Sequence, residues 1–200
     1  MAALSLKQIL KQGNELYGEH PNEFTDKECE SGHSYASAYE QAIKTRDGVR
    51  LLEIGISSGG SLWMWRRWFS NYSLTAVDLA TTWISKRPFQ AELEADPAIE
   101  LRWGVNSTDS NSYKDLEPFD YIIDDGCHEV NVQIATFHQA YPLLKSGGTY
   151  FIEDVVSERF IQQIYDAVIK FDPTATVEKY LGDKLKQGRA DDIIIKVIKA

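Results

Sequence analysis

"TATVEKYLGDKLKQGRADDIIIKVIKA", residues 174–200, decides the fold. Two strand-like runs, TATVEKYL (174–181) and DDIIIKVIKA (191–200), stand at its ends. The loop between them, GDKLKQGRA (182–190), is too short for a crossover helix. Parallel neighbours need a crossover of about a dozen residues or more, so these two strands are expected to pair antiparallel. Upstream the order differs. VRLLEIG (49–55), SLTAVDLA (73–80), IELRWGV (99–105), FDYIIDD (119–125) and GGTYFIED (147–154) read as five short strands. Amphipathic helical stretches accompany them, among them VNVQIATFHQAYPLLK (130–145) and SERFIQQIYDAVIKF (157–171). Strands alternating with helices predict a parallel sheet with helices on both faces. The whole is an α/β chain with a mostly parallel seven-stranded sheet that closes on a C-terminal antiparallel hairpin.

The first 48 residues have another character. LSLKQILKQGNELYG (4–18) reads as one helix, ended by Gly18 and Pro21. SYASAYEQAIK (34–44) reads as a second, with Ser34 as its cap. HPNEFTDKECESGH (20–33) between them reads as a loop. One domain is expected over 1–200, with 1–48 as a helical cap or lid and 49–200 as the core.

Composition narrows the function. Two hundred residues with 43% hydrophobic and 12% aromatic side chains can bury a sizeable core. A formal net charge of -9 disfavours nucleic acid and anionic membrane surfaces, which are bound mainly through Lys and Arg. No apolar run is long enough to span a bilayer, and the N-terminus lacks the apolar core of a signal peptide. The two cysteines, Cys29 and Cys127, imply no disulfide framework, so a reduced cytoplasmic setting is expected.

LEIGISSGGS (52–61) places Gly55, Gly59 and Gly60 in the turn after the first strand. Glycines there let a backbone approach a ligand closely, and the following helix offers its positive dipole end. The spacing is neither GxxxxGK[ST] nor GxGxxG, since Ser57 replaces the second glycine, so the ligand need not be a diphosphate. Glu53 lies at the strand end, and Asp78 ends LTAVD about 20 residues on, where an acid can bind both ribose hydroxyls. This set suits S-adenosylmethionine, and it also suits NAD.

Asp124 and Asp125 end the fourth strand, Gly126 permits a sharp exit, and His128 opens the next helix. Successive strand residues point opposite ways, so the two acids should serve different neighbours. Glu153 and Asp154 end the fifth strand. Carboxylates at two adjacent strand ends would converge and repel, and a hard divalent cation such as magnesium relieves that repulsion. A hydroxyl at the metal loses its proton more easily, and a neutral His can take it.

With these motifs in view, the chain resembles the metal-dependent class I S-adenosylmethionine O-methyltransferases of macrolide and related glycoside sugars, together with their cephalosporin hydroxylase-like relatives. The resemblance rests on TDKECESGHSYASAYE (25–40), LLEIGISSGGSLWMWRRWF (51–69), FDYIIDDGCHEVNVQIATF (119–137) and LKSGGTYFIED (144–154). It implies a Rossmann-like methyltransferase fold, S-adenosylmethionine and magnesium as cofactors, and a small-molecule hydroxyl acceptor on a sugar or glycoside. It implies Asp125 and Asp154 as metal ligands, Glu40 as the candidate third, and His128 as general base beside Asp125. Glu53, Gly55 and Asp78 match cofactor positions. Ser57, Gly59, Ser61, Asn106 and Asp124 complete the candidate cofactor set. Asp26, Lys27, His33 and Tyr35 fall in a segment that covers cofactor or substrate in relatives, and Lys27 and Tyr35 are expected on the cofactor. Cys127 stands where the family has Ser, and Ser146 where it has Pro; neither is expected to touch the chemistry. The resemblance does not extend to the long N-terminal extension of the macrolide enzymes, and a homo-oligomer stays open.

Other residues read as structural. Trp63, Trp65 and Trp68 cannot share one helical face and are expected in the core. His138 is expected to be structural, and His20 a loop residue. Lys184, Lys186 and Arg189 read as a solvated turn. The rival readings are an NAD-type oxidoreductase, disfavoured by the missing GxGxxG and the closing hairpin, and a non-catalytic binding module, disfavoured by the intact acid and His set.

Overall fold

The computed structural model describes residues 4–18 and 24–200. Pro21 and His20 lie outside the described residues. α1 runs over Leu6–Tyr17 and α2 over Ala36–Ala42. The core then alternates as β1 (Arg50–Ile54), α3 (Gly60–Trp68), β2 (Ser73–Asp78), α4 (Gln90–Glu94), β3 (Ile99–Trp103) and β4 (Phe119–Asp124). It continues as α5 (Val130–Ala140), β5 (Leu144–Ile152), α6 (Glu158–Phe171), β6 (Thr176–Leu181) and β7 (Ile193–Ile198). The seven strands lie in the order β3-β2-β1-β4-β5-β7-β6. The β1, β2, β3, β4 and β5 ladders are parallel, whereas β7 pairs antiparallel with both β5 and β6. The closing hairpin is as expected. No helix among the described residues is long and apolar enough to cross a membrane.

Strand alternation sorts the core into two layers. Leu51, Tyr121, Ile123 and Phe151 face Trp63, Trp65 and the two N-terminal helices. Leu52, Ile54, Ile122, Tyr150 and Ile152 face α5 and α6 through Phe137, Ile164 and Val168. Trp63, Trp65 and Trp68 are all buried, because α1 and α2 cover the side of α3 that the sheet leaves open. His138 is half-buried and stacks on Phe171 at 5.0 Å.

α1 begins with a capping box: Ser5 accepts from the Gln8 amide, and the Gln8 side chain accepts from the Ser5 amide. The second helix departs from expectation. Tyr35 stands at its N-cap with no side-chain capping bond, and Ser34 is used elsewhere. The Ser34 amide and hydroxyl donate to Asp192 at 2.8 and 2.7 Å. The Lys184 amide donates to the same carboxylate at 2.8 Å, and Asp192 is fully buried.

The expected solvated turn in the C-terminal hairpin is also corrected. Lys184 donates to the Glu30 carbonyl and Arg189 to the Ser31 carbonyl, so the hairpin loop is docked on residues 24–35. Burial alone would push the Asp192 carboxyl up, but His33, Ser34 and the Lys184 amide outweigh it and hold the pKa at about 2. A depressed carboxyl contributes stability above its unfolded pKa and loses it as pH falls through the folded value. Asp192→Asn is therefore expected to cost about 2 to 3 kcal/mol at pH 6. Its deficit against wild type should shrink between pH 4 and pH 2 in urea unfolding. A deficit that stays constant with pH would refute the charged role.

Candidate functional site

Register brings the candidate residues together. Ile54 pairs with Asp124, and Asp124 with Ile152, so β1, β4 and β5 end level. Ligands of open parallel sheets sit beyond such ends where the strand order reverses, here between β1 and β4. The Asp125 amide donates to Ile54 O at 2.9 Å, and the Glu153 amide to Asp124 O at 3.0 Å. The chain then turns sharply. Ser57 and Asp154 are held at φ 51° and 58°, in the left-handed region that non-glycine residues seldom adopt.

Two cavities open here. The larger, about 600 Å³, lies over β1, β2 and the loop after β3; Gly55, Ser57, Asp78 and Asn106 line it. Leu79, Ile84, Val105 and Val132 add an apolar wall, and Cys127 is also in the lining. The smaller, about 220 Å³, is lined by Thr25, Asp26, Ser61, Asp125, His128 and Asp154, among others. Gly55, Ser57, Asp125 and Gly126 line both.

Asp78 is fixed by the glycine turn. Its carboxylate accepts from Ile56 N at 2.7 Å, Ser57 N at 3.2 Å and Ala80 N at 2.8 Å. The Asn106 side-chain Oδ1 accepts from the Thr108 amide and hydroxyl and so shapes its own turn at the cavity wall. The glycines divide their tasks. A Cβ on Gly55 (φ +100°) would stand 2.0 Å from the Asp125 carbonyl oxygen. One on Gly60 would stand 1.9 Å from the Phe24 carbonyl oxygen, so this glycine admits the N-terminal segment. Gly59 (φ +84°) is the α3 N-cap and faces Trp83; it lines neither cavity.

Five further candidates sit elsewhere than expected. Glu53 shares the sheet face of Leu51, where burial pushes its carboxyl up to about 7 and the Trp65 indole donates to it at 3.1 Å. Asp124 points the other way, onto Tyr150 and Tyr113, and burial pushes it up to about 7. Neither lines a cavity. Glu40 is exposed on α2, and its carboxylate accepts the Leu6 amide at the start of α1. It is not in the acid cluster, which corrects the third-ligand expectation: the facing of α2 turns it away. Tyr35 is fully buried, its hydroxyl 2.7 Å from Asp154 Oδ1. Lys27 is also buried, between Asp125 and Glu153. Neither Tyr35 nor Lys27 lines the larger cavity.

Asp125, His128 and Asp154 form a group whose ligand atoms lie within 4.8 Å of one another. His128 Nε2 is 3.4 Å from Asp125 Oδ1, and Nδ1 is 3.2 Å from Asp154 Oδ2. The Asp125 hydrogen bond, with both carboxylate charges, raises the imidazole to about 9 against burial. Burial pushes the Asp125 carboxyl up, but Lys27 and His128 outweigh it and hold it at about 2. Burial and Asp125 push Asp154 up to about 6. A second group, His33, Asp154 and Asp191, adjoins it, and the Arg189 guanidinium lies against His33 Nε2 there. The docking of Arg189 on Ser31 and His33 had no signal in the local sequence, since both lie more than 150 residues away.

No protein-family profile matches the chain. Over 136 residues, 62% of this chain and 33% of the relative, it is 33% identical to 8-demethyl-8-alpha-L-rhamnosyl tetracenomycin-C 2'-O-methyltransferase of Streptomyces olivaceus. Over 137 residues, 61% and 32%, it is 36% identical to L-olivosyl-oleandolide 3-O-methyltransferase of Streptomyces antibioticus. The chain thus spans about a third of the length of the curated relatives it matches. Among solved structures, MycE methyltransferase of the mycinamycin pathway, in complex with Mg and SAH, is similar with a TM-score of 0.71. The match has 18% identity and covers 100% of this chain and 55% of that one. An O-methyltransferase from Bacillus cereus in complex with SAH gives 0.60 at 22% identity, over 98% and 90%. The reversed strand order about β1 and β4, the closing hairpin and these likenesses agree: the chain has the class I methyltransferase fold and is similar in sequence to part of two sugar O-methyltransferases.

Proposed function

We propose that the protein is an S-adenosylmethionine-dependent, divalent-metal-assisted O-methyltransferase that acts on a hydroxyl of a sugar or glycosylated small molecule. One observation carries the reading: Asp125 and Gly126 line both cavities, so a nucleoside-sized cleft meets an acid–histidine pocket at a single edge. The curated relatives, named as sugar O-methyltransferases, support it. In this reading residues 1–200 act as one domain, with 1–48 as the covering segment.

Each residue then has a task. Gly55, Ser57 and Asp78 hold the nucleoside end of the cofactor, with Asn106 at the adenine side and Ser61 in the smaller pocket. Asp125 and Asp154 would hold the cation, and an all-oxygen donor pair fits magnesium. S-adenosylmethionine, when bound, supplies a sulfonium-activated methyl, and a divalent cation offsets carboxylate charge and draws electron density from a hydroxyl beside it. Asp154 orients His128 through Nδ1, and Nε2 faces Asp125. The two acids hold the imidazole protonated near neutral pH, and a divalent cation that offset their charge would lower its pKa and free Nε2 to receive the acceptor's proton. Thr25 and Asp26 wall the pocket where an acceptor hydroxyl would enter.

Calorimetry of S-adenosylmethionine binding, with magnesium and then with EDTA, tests the reading. Binding in both conditions, with further heat on adding magnesium, is the expected result. No binding in either condition would sink it and bring nicotinamide cofactors forward.

A further inference from the structure

Lys27 is the least expected charge in the molecule. Its side chain is 1% exposed, and its partners lie 98 and 126 residues away in the chain. The Nζ atom is 2.7 Å from Asp125 Oδ2 and 2.8 and 2.7 Å from the two oxygens of Glu153. Three acceptors take up the three hydrogens of an ammonium. The Tyr39 hydroxyl also donates to Glu153. Lys27 is in the lining of neither site cavity, so it meets neither cofactor nor acceptor there.

The position explains how the acids coexist. Asp125 and Glu153 follow the ends of adjacent parallel strands; Glu153 and Asp154 are buried, Asp125 is half-buried, and the three carboxylates repel one another. An unpaired buried charge is strongly destabilising. Lys27 compensates the inner side of the cluster, through Asp125 Oδ2 and Glu153. The outer side, Asp125 Oδ1 and Asp154 Oδ2, has His128 instead. Asp125 is the shared wall: one oxygen faces the ammonium, the other the open pocket.

We propose that Lys27 is a built-in counter-cation and a positioning residue. It holds Asp125 and Glu153 side by side without a divalent ion, and it sets how tightly such an ion binds at the outer side. The second half rests on the metal reading above. The ammonium repels a second cation on the same carboxylate. Its removal therefore leaves a more negative cluster that a divalent ion alone can neutralise.

The test uses the full chain, Lys27→Met, and magnesium alone as the probe. Thermal unfolding and magnesium calorimetry are measured with wild type in parallel. In EDTA, Lys27→Met should lose about 10 °C of Tm, the effect of breaking a buried pair in a domain of this size. Saturating magnesium should restore most of that loss, and magnesium affinity should rise about tenfold or more over wild type. Magnesium affinity that is unchanged or weaker, or a Tm loss that magnesium does not repair, would overturn the metal half of the proposal. Lys27→Met/Glu153→Gln tests the counter-cation half even where the single variant does not fold. Removing both charges should recover at least half of the lost Tm, and a double variant no more stable than Lys27→Met would overturn it. If wild type binds no magnesium, the metal reading fails by itself while the double variant still decides the counter-cation role.

Discussion

On the proposed function, His128→Ala should lower kcat/KM for methyl transfer by about 10² to 10⁴, the usual contribution of a positioned general base. S-adenosylmethionine affinity should stay within about threefold, because His128 lines the smaller cavity and not the larger one. The imidazole is half-exposed, so its removal leaves no core void. His128→Gln, which keeps a hydrogen-bonding side chain but no basic nitrogen, should be as slow as His128→Ala. A variant that loses cofactor affinity and turnover together would place His128 in cofactor binding. One that keeps turnover would remove it from the chemistry.

The second large effect is structural. Gly55→Ala places a methyl 2.0 Å from a backbone oxygen at φ +100°. Neither the Asp125 carbonyl nor the β1 end can move without breaking the bond from the Asp125 amide to Ile54 O. A cost above ~4 kcal/mol is expected, which puts it among the exceptional single substitutions. Gly104→Ala is the control. Its φ is +70°, but nothing lies within 4 Å of the added Cβ, so only the backbone term of about 1 kcal/mol should appear. Thermal unfolding of the two variants separates steric from conformational cost. Equal losses would mean that the contact at Gly55 relaxes freely.

Much of this was legible along the chain because it rests on local periodicity. Each strand is a short apolar run bounded by turn residues, and each helix after β4 has its stripe or its cap, as Ser157 caps α6. The hairpin followed from one loop length. The acid pairs were legible as strand ends, and their opposite facing followed from the two-residue period, which is why Asp124 and Asp125 part company. That same period also buries Glu53 with Leu51, a consequence the motif at the glycine turn obscured.

What stayed hidden is long-range or rotational. Glu40 lies in a matching motif, but the packing of α1 on α2 turns it to the Leu6 amide. Ser34 looks like a helix cap, yet its partner is a buried acid 158 residues on. Gly60 looks like a ligand glycine, yet it makes room for Phe24. The sequence by itself determined the sheet, its closing hairpin, the glycine turn with Asp78, and the acids and histidine at the strand ends. These depend on residues within a few positions of one another, where hydrophobic period and turn chemistry act directly. Only the tertiary structure decided that Lys27 pairs with Asp125 and Glu153, that the hairpin loop docks on the N-terminal segment, and that Glu40 lies outside the acid cluster. Each of these depends on which distant groups share one buried volume, and burial turns the pairing of their charges from a small term into a dominant one.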